Sequence, residues 1–148
     1  MLIKLIPEQI AEMWEIIRYG IIHALPPTAI VSSDGVRGIL EALLCGSMQC
    51  WADVDRVDDD QRTLAAIVTT QILDDGATGA RCLLIYTLCS YRPVSTNDQW
   101  YIGINTLRHF AKNNGCRRLA AFTNVPYVID AVKAVGFDTS YQFITLDI

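Results

Sequence analysis

The sequence of 148 residues is short of histidine, of paired cysteines and of positive charge. Each shortage removes a class of function. His23 and His109 are the two histidines, and no C-x-x-C pair accompanies them, so a zinc site lacks its ligand set and no metal is expected. The five cysteines, at 45, 50, 82, 89 and 116, are odd in number and fall mostly inside apolar runs. They read as reduced, packed thiols and not as a disulfide framework. Lys and Arg total 12 against 16 Asp and Glu, a net charge of -4. That excludes binding to nucleic acid by bulk charge and leaves room only for a local basic cluster holding one phosphorylated ligand. No apolar run is long. Leu83 to Cys89 falls far below the roughly 20 residues a helix needs to cross a bilayer. Met1 to Pro7 lacks a secretory apolar region and Glu8 follows at once, so the chain is expected to be cytoplasmic, without a membrane span.

What is present is a core. Hydrophobic residues make up 51% and charged residues 19%, with a mean hydropathy of +0.26. That balance belongs to an ordered globular chain of single-domain length, 1–148, with a large interior or a partner surface. Leu2 to Ile6 reads as a strand. Pro7 opens a helix whose apolar face is Ile10, Met13, Trp14, Ile17 and Ile21, ended by Pro26 and Pro27. Ser33 and Asp34 offer a cap for a helix from about Gly35 to Cys45, stopped by Gly46. Met48, Cys50, Ala52 and Val54 alternate with Gln49, Trp51, Asp53 and Asp55, which predicts a strand. Asp58, Asp59 and Asp60 read as a solvated turn without calcium-loop spacing. Strands follow at 64–73 and 81–90, separated by Asp74, Asp75 and Gly76, so the three strands form an antiparallel meander. A helix with Trp100, Gly103, Ile104, Leu107, Phe110 and Ala111 on its face leads to Asn113, Asn114 and Gly115. A strand at 118–123, a helix at 126–135 stopped by Gly136 and a last strand at 137–148 complete the chain. The class is α/β (α+β), a mixed sheet in the order β-α-α-β-β-β-α-β-α-β. The segment 81–123 is a right-handed βαβ crossover, which makes its two strands parallel neighbours.

This order, the strand-loop-helix at 83–112 and the closing run Lys133 to Phe137 before a final strand resemble the GNAT acetyltransferase superfamily along the full length. Trp14, the set Gly46, Gln49, Cys50 and Trp51, and the run Phe110 to Cys116 are in addition similar to short GNAT-like proteins of tailed phages. The resemblance implies acetyl-CoA bound where the central strand and its parallel neighbour splay apart. Its pyrophosphate would sit on the backbone N–H groups at the start of the next helix, an anion at a positive helix end.

The residues the resemblance then assigns to the cofactor are Leu88, Cys89, Ser95, Thr96, Asn97, Gln99, Gly103 and Asn124. The match has gaps. One extra residue separates Gln99 from Gly103, Asn105 replaces a small residue, and Trp100 and Tyr101 stand where compact residues are usual. The family's proton-donating tyrosine corresponds to Val132, which donates nothing. Tyr127, one turn upstream, is the alternative acid. By strand parity Asp53, Gln71 and Tyr86 are candidates for the general base that deprotonates the acceptor amine. Arg92, Arg108, Lys112, Arg117 and Arg118 are candidate partners for a phosphate of the cofactor, or solvated helix-end charges.

Two readings stay open. One is an N-acyltransferase using acetyl-CoA on a small-molecule or protein amine. The other is a non-catalytic GNAT-fold virion or assembly protein, with Trp51, Trp100 and Tyr101 exposed for contacts with other virion proteins. The second predicts a filled cleft.

Overall fold

The computed structural model describes residues 1–58, 61–92 and 97–148. Five strands form one mixed sheet in the order β1-β2-β3-β4-β5, built from Leu2–Lys4, Met48–Asp58, Gln61–Asp74, Arg81–Ser90 and Arg118–Ala121. β1 to β4 pair antiparallel, and β5 lies parallel to β4 with Leu83 opposite Leu119. The meander and the crossover expected from the sequence are therefore present. The crossover helix α4, Asn97–Asn113, covers one face of the sheet; the helices α1, Pro7–Glu12, α2, Trp14–His23, and α3, Ser33–Leu44, cover the other. The last helix, α5, spans Pro126–Ala134.

Two cores result. On one face Ile10, Ile17, Ile21 and Leu43 of the helices meet Met48, Cys50, Ala52 and Ile67. On the other Ile104, Leu107 and Ala111 of α4 meet Trp51, Val68, Leu83 and Ile85. A sheet covered twice has no polar face, which corrects the expectation for Trp51. It is 4% exposed, its indole N–H donates to Thr70 Oγ1 at 2.9 Å, and its ring meets Phe110 edge-on at 5.0 Å. Thr70 in turn donates to Gln49 Oε1 at 2.9 Å, so Gln49 and Trp51 of that alternation are buried and linked through Thr70.

The single first helix predicted by periodicity is two. Met13 adopts φ −97° and ψ 11°, while the bonds Met13 N–H to Gln9 O and Ile17 N–H to Met13 O keep the axis continuous. The third helix is capped by Ser32, whose Oγ accepts from Gly35 N–H at 3.0 Å, and not by Ser33 or Asp34. Gly20 lets α2 lie against β4: a Cβ there would stand 2.6 Å from the Tyr91 hydroxyl and 3.2 Å from Cys89 Cβ. The tyrosine is fixed, since it donates to Ile16 O at 2.7 Å.

The final strand is not formed. Gly136 (φ 93°) ends α5 as expected and Phe137 packs on the second core, but residues 138–148 carry no secondary structure. β5 is also shorter than expected, ending at Ala121 and not at Thr123.

The thiols differ in reactivity by environment. Burial pushes the Cys50 thiol up to about 12. Cys45, exposed and hydrogen-bonded to Ser47 Oγ at 3.2 Å, is lowered by that bond. Cys82, Cys89 and Cys116 are raised by desolvation. A thiol-disulfide reagent at pH 8 is therefore expected to label Cys45 first, with a rate that Cys45→Ser removes, and Cys50 only with unfolding. Equal labelling of Cys50 and Cys45 in the folded protein would contradict this packing.

Candidate functional site

The β4–β5 ladder runs from Cys82 opposite Arg118 to Ile85 opposite Ala121 and stops there. β4 continues to Ser90, still paired with β3 on its other side. The chain after β5 turns away toward α5, so beyond Ile85 the two strands diverge. The divergence coincides with a bulge. Thr70 pairs with Ile85 and Thr69 with Thr87, leaving Tyr86 as an extra residue on β4. A bulge of this kind bends its strand and re-aims the side chains that follow. Here it reverses the alternation: Leu83, Ile85 and then Leu88 pack on the α4 face, while Cys89 lies beside Gly20 of α2.

The opening is a cleft of about 1200 Å³. Its floor includes Ile85 and Leu88 of β4; the stretch 121–125 forms one side; Gln99, Trp100 and Gly103 of α4 border the end. The first turn of α4 thus reaches the cleft, and the leading N–H groups of any α-helix have no partner within it. Gly103 opens onto free space, since a Cβ there would meet no atom within 4 Å. Trp100 borders the cleft and belongs to neither core cluster, against its expected place on the helix's packed face. Tyr101 is 55% exposed and is not part of the cleft wall.

The residues singled out from the sequence divide in three. Leu88, Gln99, Gly103, Asn124, Tyr86, Tyr127 and Asp53 all line the cleft. Cys89 does not; the bulge turns it toward α2, away from the cofactor place the resemblance gave it, and desolvation raises its thiol. Ser95 and Thr96 lie outside the described residues, and Asn97 is the first residue of α4. Tyr86 is half-buried, and desolvation raises its phenol, so it stays protonated at neutral pH. Asp53 Oδ1 sits 2.7 Å from the Met1 ammonium. Val132 also lines the cleft, so an apolar group stands where a proton donor would be.

Sequence reasoning missed Phe122, Thr123 and Val125, which form the side opposite Leu88. Nothing in the apolar run marks where the parallel ladder ends. The basic residues separate: Arg92 lines the cleft, while Arg108, Lys112, Arg117 and Arg118 border a second hollow beside β5. Arg108 donates to Val135 O at 3.2 Å and to Asn105 Oδ1 at 3.3 Å, tying α4 to the end of α5. Among the described residues no helix is long and apolar enough to cross a membrane.

No protein-family model matches the sequence, and no curated protein matches it. Solved structures do. A probable acetyltransferase superposes with a TM-score of 0.71 at 12% identity, covering 100% of this chain and 97% of its own. A predicted acetyltransferase with acetyl-CoA from Clostridium acetobutylicum gives 0.69 at 15%, covering 99% and 95%. The chain has the GNAT acetyltransferase fold. An aminoglycoside acetyltransferase from an uncultured soil metagenomic sample, solved in complex with sisomicin, gives 0.65 at 12%, covering 100% and 94%. Identities this low concern the GNAT fold and not the substrate.

Proposed function

We propose that this protein is an N-acetyltransferase that binds acetyl-CoA in the β4–β5 cleft and passes the acetyl group to an amine. The observation that carries the reading is the divergence of two parallel strands directly before a helix N-terminus, with open space at Gly103. The residues present fit such a cofactor. The first turn of α4 offers N–H donors and the positive end of a helix dipole to a pyrophosphate, and Arg92 adds a cation to the same cleft. Asn124 lines the same cleft and is the polar side chain assigned to the cofactor arm.

When bound, acetyl-CoA supplies an activated acyl thioester. The chain's part is placement. Beyond Ile85 the β4 backbone has left its parallel partner, so its polar groups on that side are available to a ligand. Leu88, Ile85 and Phe122 give that ligand an apolar wall. Tyr86, whose phenol burial keeps protonated, and Tyr127 at the start of α5 both line the cleft and are the proton donors assigned to the leaving thiolate in place of Val132. Asp53, whose carboxylate also accepts from the Met1 ammonium, is the base assigned to the acceptor amine, taking the proton the amine loses as the C–N bond forms and the C–S bond breaks.

The alternative, a GNAT-fold virion or assembly protein without catalysis, predicts a filled cleft; an open one favours the enzyme. Calorimetry with acetyl-CoA and with desulfo-CoA tests the reading. Micromolar binding of both is the expected result. No heat with either at millimolar ligand would overturn it. Transfer is then followed with an aminoglycoside and an N-terminal alanine peptide as trial amines.

A further inference from the structure

His23 is the last residue of α2 and lines the cleft. Its Nδ1 lies 2.8 Å from Tyr19 O, one turn back along the helix. A carbonyl oxygen only accepts, so Nδ1 carries the proton of that bond. In the neutral imidazole Nε2 is then a bare acceptor. The ring also leans on Tyr19, with centroids 4.0 Å and planes 32° apart. Tyr19 is backed in turn by Tyr91 at 6.5 Å, whose hydroxyl is tied to Ile16 O. Nε2 has no hydrogen-bond partner among the described residues. A ring fixed in this way, with one free acceptor at the cleft, is pre-organised for an N–H or O–H of a ligand.

The charge of the cleft narrows that ligand further. Among the described residues its carboxylates are Asp53 and Asp138. Asp53 Oδ1 faces the Met1 ammonium at 2.7 Å, and Asp138 Oδ1 accepts from the N–H and the hydroxyl of Ser140. An amine with several positive charges would leave most of them desolvated without a counter-ion, which is costly. Leu2, Ala24 and Leu25 line the same cleft and suit hydrocarbon. We propose that the acceptor is a monoamine with an apolar body and one further hydrogen-bond donor, which donates to His23 Nε2 while the amine meets Asp53. His23 selects the acceptor and moves no proton. This acceptor class rests on the acetyltransferase reading and adds the substrate to it.

The test joins nitrogen NMR of the histidine rings at pH 8 to calorimetry on the full chain, with and without desulfo-CoA. The probes are phenethylamine, two hydroxylated relatives and two polycations. Phenylethanolamine carries its hydroxyl near the nitrogen and tyramine at the far end of the ring; spermidine and sisomicin are the polycations. His23 is expected to show a protonated Nδ1 and a bare Nε2. One hydroxylated amine should bind about tenfold more tightly than phenethylamine and shift the Nε2 signal, with the polycations weaker than either. His23→Phe keeps a ring on Tyr19 and removes Nε2. It should abolish the tenfold preference and leave phenethylamine binding unchanged, whereas a merely structural role would weaken both amines alike. Three results overturn the proposal: a proton on Nε2, polycations that bind as tightly as the monoamines, or a hydroxyl preference that is absent or survives His23→Phe. Any of these beside normal desulfo-CoA binding leaves the cofactor reading standing. No heat with desulfo-CoA overturns that reading and the acceptor class with it.

Discussion

Leu83→Ala is expected to lower the free energy of unfolding by about 2–5 kcal/mol, a large part of the roughly 5–15 kcal/mol that holds a domain together. Leu83 is fully buried, with Ile72 opposite it on β3 and Leu119 on β5. It belongs to the cluster under α4 that includes Val68, Ile104 and Leu107. Removing its branched end leaves a cavity beneath the crossover helix, and a backbone fixed by ladders on both sides cannot collapse to fill it. Urea unfolding at constant m-value measures the loss. Ile30→Ala, at a site 86% exposed, serves as the control and should change stability by about 0.5 kcal/mol or less. A loss at Leu83 no larger than at Ile30 would mean that the central strand is not packed as described.

Gly103→Trp is expected to weaken acetyl-CoA binding by about a hundredfold, near 2.7 kcal/mol, in a folded protein. Gly103 stands within α4 at the cleft border and a Cβ there meets nothing, so the new side chain enters space that the cofactor is proposed to fill. Gly103→Ala separates bulk from backbone. It adds one methyl group to open space and gains up to about 1 kcal/mol of helix stability, with binding little changed. Calorimetry and thermal unfolding on the two variants read both effects. Undiminished binding by the tryptophan variant would move the cofactor out of this cleft, whatever reaction the protein performs.

The crossover was legible because its signals agree: a continuous apolar run at 81–90, a helical period at 100–111 and a glycine stop at 115. The same agreement brought Leu88, Gln99, Gly103 and Asn124 to one cleft. Three features were not legible. Alternation in β2 suggested a wet face, but it cannot reveal that a second helical layer lies over Trp51 and Gln49. The bulge at Tyr86 falls inside an unbroken run of strand-forming residues, so parity counted through it assigns Cys89 to the wrong side. The stretch 138–148 has a strand's composition, yet a strand exists only with a partner, and composition does not say where that partner is.

The seam between β4 and β5 holds four residue pairs, fewer than half of the pairs that join β3 to β4. Short ladders open first when a protein breathes. Each pair that parted at Ile85 and Ala121 would deepen the cleft by one residue's rise, about 3.3 Å. The seam thus works as a zipper whose last closed tooth sets how far a ligand can reach into the sheet.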